Sequence, residues 1–274
     1  MSIKQIHFIS GLPRSGTTLL SNILNQNNNF YSGPNSPVIN MILTIEGFKN
    51  DDMYRAFPRS ESLQRIESSI IHNFYFDDKQ PVIFDKNRGW VGHIEYIKRY
   101  ITPNPKIICT VRSVKDVLSS FITLFQQNNY PKDSFINKSK IHENDSDICM
   151  TLLTTGIVGV SIRQLIDGFN EYPNNILFVH YDDIVENTHE TLKRIYNFIG
   201  EEYYENHKME IEKQYIVNDD VYKLEGMHVV RNKIEKISKK AEDVLPDDII
   251  QLCNTHPVIK EFEQIISSHR YTNI

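Results

Sequence analysis

Arg14, Lys86, Arg112, His228 and Arg231 all stand in contexts where a side chain can do chemistry. The best framed is Arg14, inside Gly11-Leu12-Pro13-Arg14-Ser15-Gly16-Thr17-Thr18. Ile6, Phe8 and Ile9 precede this stretch as an apolar run, and Leu19, Leu20, Ile23 and Leu24 follow at helical spacing. A strand, a glycine-bounded loop and a helix start in that order aim backbone N–H groups and the positive end of a helix dipole at one point. Such a point attracts phosphate.

Gly11 and Gly16 keep the spacing of a nucleotide-triphosphate loop, G-x-x-x-x-G-K-[ST], but Thr17 stands where that loop has its Lys. The cation has moved into the loop as Arg14, whose planar fork suits an oxyanion, and Thr18 still offers a hydroxyl. Without the Lys, the loop is poorly equipped for a γ-phosphate and Mg²⁺ and well equipped for a 5′-phosphate. The plain alternative is a glycine turn with an incidental Arg.

Arg112 ends the expected strand 106–111, and Ser113 with Asp116 makes a helix start that leads to Ser119 and Ser120. A phosphate needs a charged bidentate donor and a hydroxyl, which Arg112 and Ser120 supply. Lys86 follows the strand 82–84, at the edge of a parallel sheet where ligands sit; its bland alternative is a surface ion pair with Asp85. Tyr181 closes the strand 176–180, and a half-buried Tyr at a strand end is by itself unremarkable.

Taken together, Gly11–Leu20 resembles the 5′-phosphosulfate loop of sulfotransferases that use 3′-phosphoadenosine 5′-phosphosulfate (PAPS). It is most similar to the tyrosylprotein-sulfotransferase-like and bacterial or phage-type branch. The stretch Val111-Arg112-Ser113-Val114-Lys115-Asp116-Val117-Leu118-Ser119-Ser120 resembles that family's 3′-phosphate element, with an Arg and a Ser eight positions apart. The resemblance implies an α/β fold, a mostly parallel P-loop NTPase-like sheet flanked by helices on both faces. It implies sulfuryl transfer from PAPS to a hydroxyl or amine of a small-molecule, carbohydrate or peptide acceptor, with 3′,5′-ADP (PAP) released and no metal required. Arg14, Ser15, Gly16, Thr17 and Thr18 would hold the phosphosulfate, and Arg112, Ser120 and Arg231 the 3′-phosphate. Tyr181 would lie near the adenosine, stacking or hydrogen-bonding there. Lys86 would stabilise the departing phosphate oxygen, as a fixed cation does where charge develops.

The tyrosylprotein enzymes carry a Glu base shortly after their first helix. Here that neighbourhood reads Tyr31-Ser32-Gly33-Pro34-Asn35-Ser36, without a carboxylate. A His suits a base near neutral pH; the resemblance of Gly226–Lys233 to the family's late loop over the donor makes His228 the first candidate and His93 the second. Two rival readings stand beside this one: a non-catalytic binder of 3′-phosphoadenosine nucleotides, and a P-loop kinase.

The elements that must position these residues are legible as alternating strands and helices. Helices are expected over 38–48, with Ser36 as cap and Pro37 in the first turn, over 61–76, from Val91 to Pro103, from Val117 to Phe125, over 148–170, and from Leu192 to Gly200. The last third reads as mostly helical, with Lys236, Lys239 and Lys240 on a solvated face. Residues 127–147 are polar and aperiodic, and with 38–48 are expected to select the acceptor.

At 274 residues one domain over the whole chain is expected. A net charge of −5 argues against a general nucleic-acid binder. Three scattered cysteines, Cys109, Cys149 and Cys253, point to reduced thiols rather than a disulfide framework. No signal-peptide core and no apolar run near 20 residues is seen, so a cytoplasmic protein without membrane contact is expected.

Overall fold

The computed structural model describes residues 4–130, 144–212, 215, 217–229, 232–236 and 240–271. Five parallel strands form one sheet in the order β2-β3-β1-β4-β5, with β1 Gln5–Gly11, β2 Phe30–Asn35, β3 Val82–Lys86, β4 Ile107–Val111 and β5 Ile176–His180. The central strands are apolar nearly throughout because both faces are covered. Alternation divides their side chains. Phe8, Ile83, Ile107 and Cys109 enter one core with Trp90, Phe121 and Leu165, whereas Ile9, Phe84 and Ile108 enter the other with Leu20, Ile195 and Tyr196. Of these partners, Phe121 comes from α6 Val114–Gln127 and Leu165 from α8 Ile157–Glu171 on the first face, Trp90 from the turn Arg88–His93, and on the second face Leu20 from α1 Thr17–Leu24 and Ile195 with Tyr196 from α10 Thr188–Ile199. This is the expected P-loop-type architecture.

Parallel strands put every carboxyl end on one edge, so four loops meet there: after β1 (Leu12–Gly16), β3 (Asn87 onward), β4 (Arg112) and β5 (Tyr181). Lys86 pairs in register with Ile9, and Thr110 with Gly11. Lys86 and Arg112 therefore flank the β1 loop from opposite sides.

Four expectations need correction. The edge strand β2 was unexpected, since Ser32, Gly33 and Pro34 have low strand propensity; pairing to β3 overrides it, with a register shift between Ser32 and Asn35. Ser36 does not cap α2 Val38–Gly47 in the usual way: its hydroxyl donates to both oxygens of Asp85 at 2.7 and 2.6 Å while accepting weakly from Val38 N–H at 3.3 Å. The helix expected over 148–170 is two, α7 Asp145–Thr154 and α8, broken at Thr155-Gly156. A Cβ on Gly156 would lie 2.7 Å from Leu152 Cα, and one on Gly159 1.8 Å from Leu153 O, so the second helix passes too close for any side chain. Residues 145–171 are long and apolar enough, taken as one segment, to cross a membrane. Here Leu152, Val158, Leu165 and their neighbours instead pack in the core.

Beyond α10, the described residues are α-helical only in α11 Asp247–Thr255 and α12 Pro257–Ser268. The described residues between 201 and 236 form an irregular strap, of which Gly226–Val229 and Lys233 line the cleft at the sheet's carboxyl edge; among them one antiparallel bridge joins Glu210 to Lys233. Lys236 is on no helix; it bridges Asp182 at 2.7 Å and Glu186 at 3.3 Å, and Lys239 lies outside the described residues.

Candidate active site

Gly11 adopts φ 122°, and a Cβ there would sit 2.1 Å from Thr110 O, so the chain can leave β1 only against the bare backbone of β4. The loop then turns through Arg14, itself left-handed at φ 59°, to Gly16 at φ 91°. Gly16 caps α1 without any side-chain hydrogen bond, and the first N–H groups of the helix have no partner within it. These groups, with Thr17 and Thr18, line a cleft. Ser15 does not face it: its hydroxyl is buried against Thr110 Oγ1 at 2.6 Å and Thr110 O at 3.0 Å. What Ser15 retains toward an anion is its backbone N–H.

The same cleft takes in Arg14, Lys86, Arg112, Ser120, Tyr181 and His228. The two guanidiniums therefore open onto one space, as a bridging ligand requires. Arg14 Nε donates to Ser120 Oγ at 3.0 Å, and its Nη1 donates to the carbonyl of Met227 on the strap. Arg112 Nη1 reaches Arg14 O at 3.5 Å, and its guanidinium lies 4.4 Å from the centre of the Tyr181 ring. Arg112 Nε is buried with no hydrogen-bond partner; Asp116 Oδ2 is 3.8 Å away. Tyr181 in turn packs on Gly16, where a Cβ would approach its Cδ2 to 2.9 Å. Ser113 stands at the start of α6 without capping it; the carboxylate of Glu263 accepts from Val114 N–H at 2.8 Å instead.

Strand alternation removes the surface ion pair that the sequence left open for Lys86. Asp85 points to the other face, where Ser36, Tyr75 (2.9 Å) and Trp90 Nε1 (2.6 Å) all donate to it. Lys86 is 2 % exposed and meets no carboxylate among the described residues; the hydroxyl of Tyr215 lies 3.4 Å from its Nζ. Burial alone pushes the amine down to about 7. A buried ammonium without a counterion is costly, and an anion in the cleft would supply one.

His228 lies on the strap with its Nδ1 2.7 Å from Asp219 Oδ1. Burial holds the imidazole below its usual range; Asp219 opposes that shift, while Lys86 and Arg14 add to it. His93, the second candidate base, is spent on Gly89 O at 2.8 Å and is not among the cleft's lining residues. Arg231 lies outside the described residues, as does 131–143 of the stretch 127–147.

Sequence reasoning missed Arg88, Tyr215 and Asp219. Arg88 lines the cleft two residues beyond Lys86, and its place after a buried strand was a usable signal. Tyr215 is 129 residues from Lys86 and carried no such signal; Asp219 is only nine residues from His228, but in a stretch without periodicity.

An Arg112 Nε without a hydrogen bond, a buried Lys86 without a carboxylate among the described residues and an uncapped helix start face one cleft, an arrangement that suits an anion. The family model described as "Sulfotransferase family" matches residues 7–205. A Caenorhabditis briggsae protein, provisionally named a protein-tyrosine sulfotransferase, is 23% identical over 205 residues, covering 74% of this chain and 68% of that one. The sulfotransferase domain of the Synechococcus PCC 7002 olefin synthase superposes with a TM-score of 0.56 at 19% identity, over 93% of this chain and 95% of that domain. A mouse sulfotransferase solved with PAP superposes at 0.55 with 14% identity, over 97% and 89%. At such identities the superpositions speak for the fold, and the matched residues carry the assignment: the chain belongs to the sulfotransferase family and is a sulfuryl-transferring enzyme by descent.

Proposed function

We propose that the protein transfers a sulfuryl group from PAPS to a hydroxyl of a small-molecule, carbohydrate or peptide acceptor, releasing PAP. The observation that carries this reading is that Arg14 and Arg112, at the ends of different strands, line one cleft with Lys86. In this reading the N–H groups of Gly16, Thr17 and Thr18, with Arg14, hold the phosphosulfate. Arg112 holds the 3′-phosphate, and its buried Nε, which makes no hydrogen bond and has Asp116 only at 3.8 Å, supports that role. Tyr181 supports the Arg112 guanidinium from below and sits close to the loop, which favours an adenosine contact on its remaining surface.

Lys86 stabilises negative charge on the departing 5′-phosphate oxygen. That charge grows only as the S–O bond breaks, so the ammonium favours the transition state over the ground state. Removing one such donor typically costs about 3–4 kcal/mol of barrier. His228, kept neutral by burial, takes the acceptor's proton. Three free cysteines, all buried, support a reducing, cytoplasmic setting.

The test is a melting-temperature comparison of PAP, 5′-ADP and Mg-ATP. A ligand at 100 times its dissociation constant adds about 2.7 kcal/mol, so PAP should raise the melting point by several degrees beyond 5′-ADP. Equal stabilisation by 5′-ADP, or preference for Mg-ATP, would overturn the reading. Strong PAP binding with no sulfate transferred to any acceptor or to water would make the protein a nucleotide binder instead.

A further inference from the structure

Asp219 holds His228 by two contacts. Its Oδ2 accepts the backbone N–H of His228 at 2.9 Å, and its Oδ1 lies 2.7 Å from Nδ1 of the ring. Both side chains are largely sheltered, at 15 % and 10 % exposed. With Nδ1–H donated to a carboxylate, the lone pair of the neutral ring is on Nε2.

The pair is fixed to the body of the protein rather than to a free loop. Leu224 and Met227 are buried in the main core. Glu225 exchanges hydrogen bonds with Asn128 of the segment following α6, its N–H donating at 2.8 Å and its carbonyl accepting at 3.1 Å. Arg14 donates to the carbonyl of Met227, the residue before His228. The groups that face the imidazole are Asp219 and Tyr222 from the same strap, Lys86 from β3 and Arg14 from the β1 loop.

We propose that Asp219 is a positioning residue for the transfer reaction, and that Asp219 and His228 act as one unit. The inference rests on the sulfotransferase reading above, in which His228 is the base. Asp219 sets the ring's tautomer and orientation and stabilises the imidazolium that forms. In the step itself, an acceptor hydroxyl oxygen bonds to sulfur while the S–O bond to the 5′-phosphate breaks. The electron pair of that bond leaves on the phosphate oxygen, and the hydroxyl proton passes to His228 Nε2. A carboxylate behind the base matters most when the acceptor is a neutral, weakly acidic hydroxyl, because the imidazolium is then fully formed as the proton moves. The unit therefore suits alcohols and water better than it suits acceptors that ionise unaided.

Hydrolysis of PAPS, with water in the acceptor's place, gives a readout that needs no identified substrate. Sulfate release from PAPS is followed in wild type and in the Asp219→Asn, His228→Ala and double variants, beside PAP binding. The expected result for Asp219→Asn is a fall in turnover of about 10- to 100-fold, with PAP affinity within twofold of wild type. The double variant should be no slower than His228→Ala alone, as for residues that act as a unit. Nitrogen-15 spectra of the PAP complex should show His228 protonated on Nδ1 in wild type and not in Asp219→Asn. Asp219→Glu should recover part of the turnover. Independent, multiplying losses in the double variant, or an unchanged tautomer and turnover in Asp219→Asn, would overturn the inference. Failure of wild type to bind PAP would instead remove the reading beneath it.

Discussion

Arg14 Nε donates to Ser120 Oγ at 3.0 Å across 106 residues of sequence, joining the loop after β1 to the helix after β4. The sequence assigned these residues to opposite ends of a doubly phosphorylated nucleotide, Ser120 beside Arg112 on the 3′-phosphate. Their contact ties Ser120 to the loop after β1 while it lines the same cleft as Arg112. In the proposed reading the two anion cradles thus share a side chain, and what disturbs one is felt in the other.

Arg112→Ala should therefore separate the cradles. Loss of a charge-assisted, largely buried donor should weaken PAP about 10- to 100-fold and leave 5′-ADP nearly unchanged. Ser120→Ala should weaken both ligands by a similar factor, about 2- to 10-fold, because it acts through Arg14. Titration calorimetry with the two nucleotides reads both results, and a selective loss of PAP binding in Ser120→Ala would reverse the assignment.

The amine of Lys86, at about 7 against an ordinary 10.5, makes ligand binding depend on pH. An anion beside it favours the protonated form and lifts its pKa. At pH 8 PAP binding should take up a proton, seen as a heat that differs between HEPES and Tris, and affinity should fall from pH 6 to pH 9. Stability carries the opposite mark. Between about pH 7 and 10.5 the unfolded chain binds a proton that the folded one does not, so this residue's contribution rises with pH there and is most unfavourable below 7. Lys86→Met should accordingly melt higher than wild type at pH 6, with the gap closing toward pH 10, while sulfate release is lost. A proton-neutral binding reaction would count against the unpaired amine.

Gly16 carries φ 91° and faces Tyr181 Cδ2 at 2.9 Å. Gly16→Ala pays for a left-handed backbone and pushes the ring that supports Arg112, a combined cost of about 2 kcal/mol or more. Urea unfolding should show that loss, and PAP binding should fall with it. Wild-type affinity in this variant would mean that Tyr181 is not coupled to the nucleotide.

Asp85 is buried beneath three donors, from Ser36, Tyr75 and Trp90. Burial raises its pKa, and the three donors oppose that. Asp85→Ala leaves all three without an acceptor and should cost about 3 kcal/mol or more of stability, measured by urea unfolding. Asp85→Asn, which keeps an acceptor oxygen, should cost less.

The sequence by itself determined the strand–loop–helix at Gly11–Leu24, the parallel sheet and the strand-end placement of Lys86, Arg112 and Tyr181. All of these follow from local apolar periodicity and glycine spacing, which act over a few residues. It could not show the strand Phe30–Asn35, because Ser32, Gly33 and Pro34 pair only when β3 is already beside them. It read 148–170 as one helix because apolar spacing continues through Gly156, and only the close approach of two backbones breaks it there. The strap carrying Asp219, Tyr215 and His228 has no period at all. Tyr215 meets Lys86, and the Met227 carbonyl meets Arg14, through contacts between distant segments, so packing across the carboxyl edge of the sheet, rather than local preference, decided which parts of the strap face the cleft.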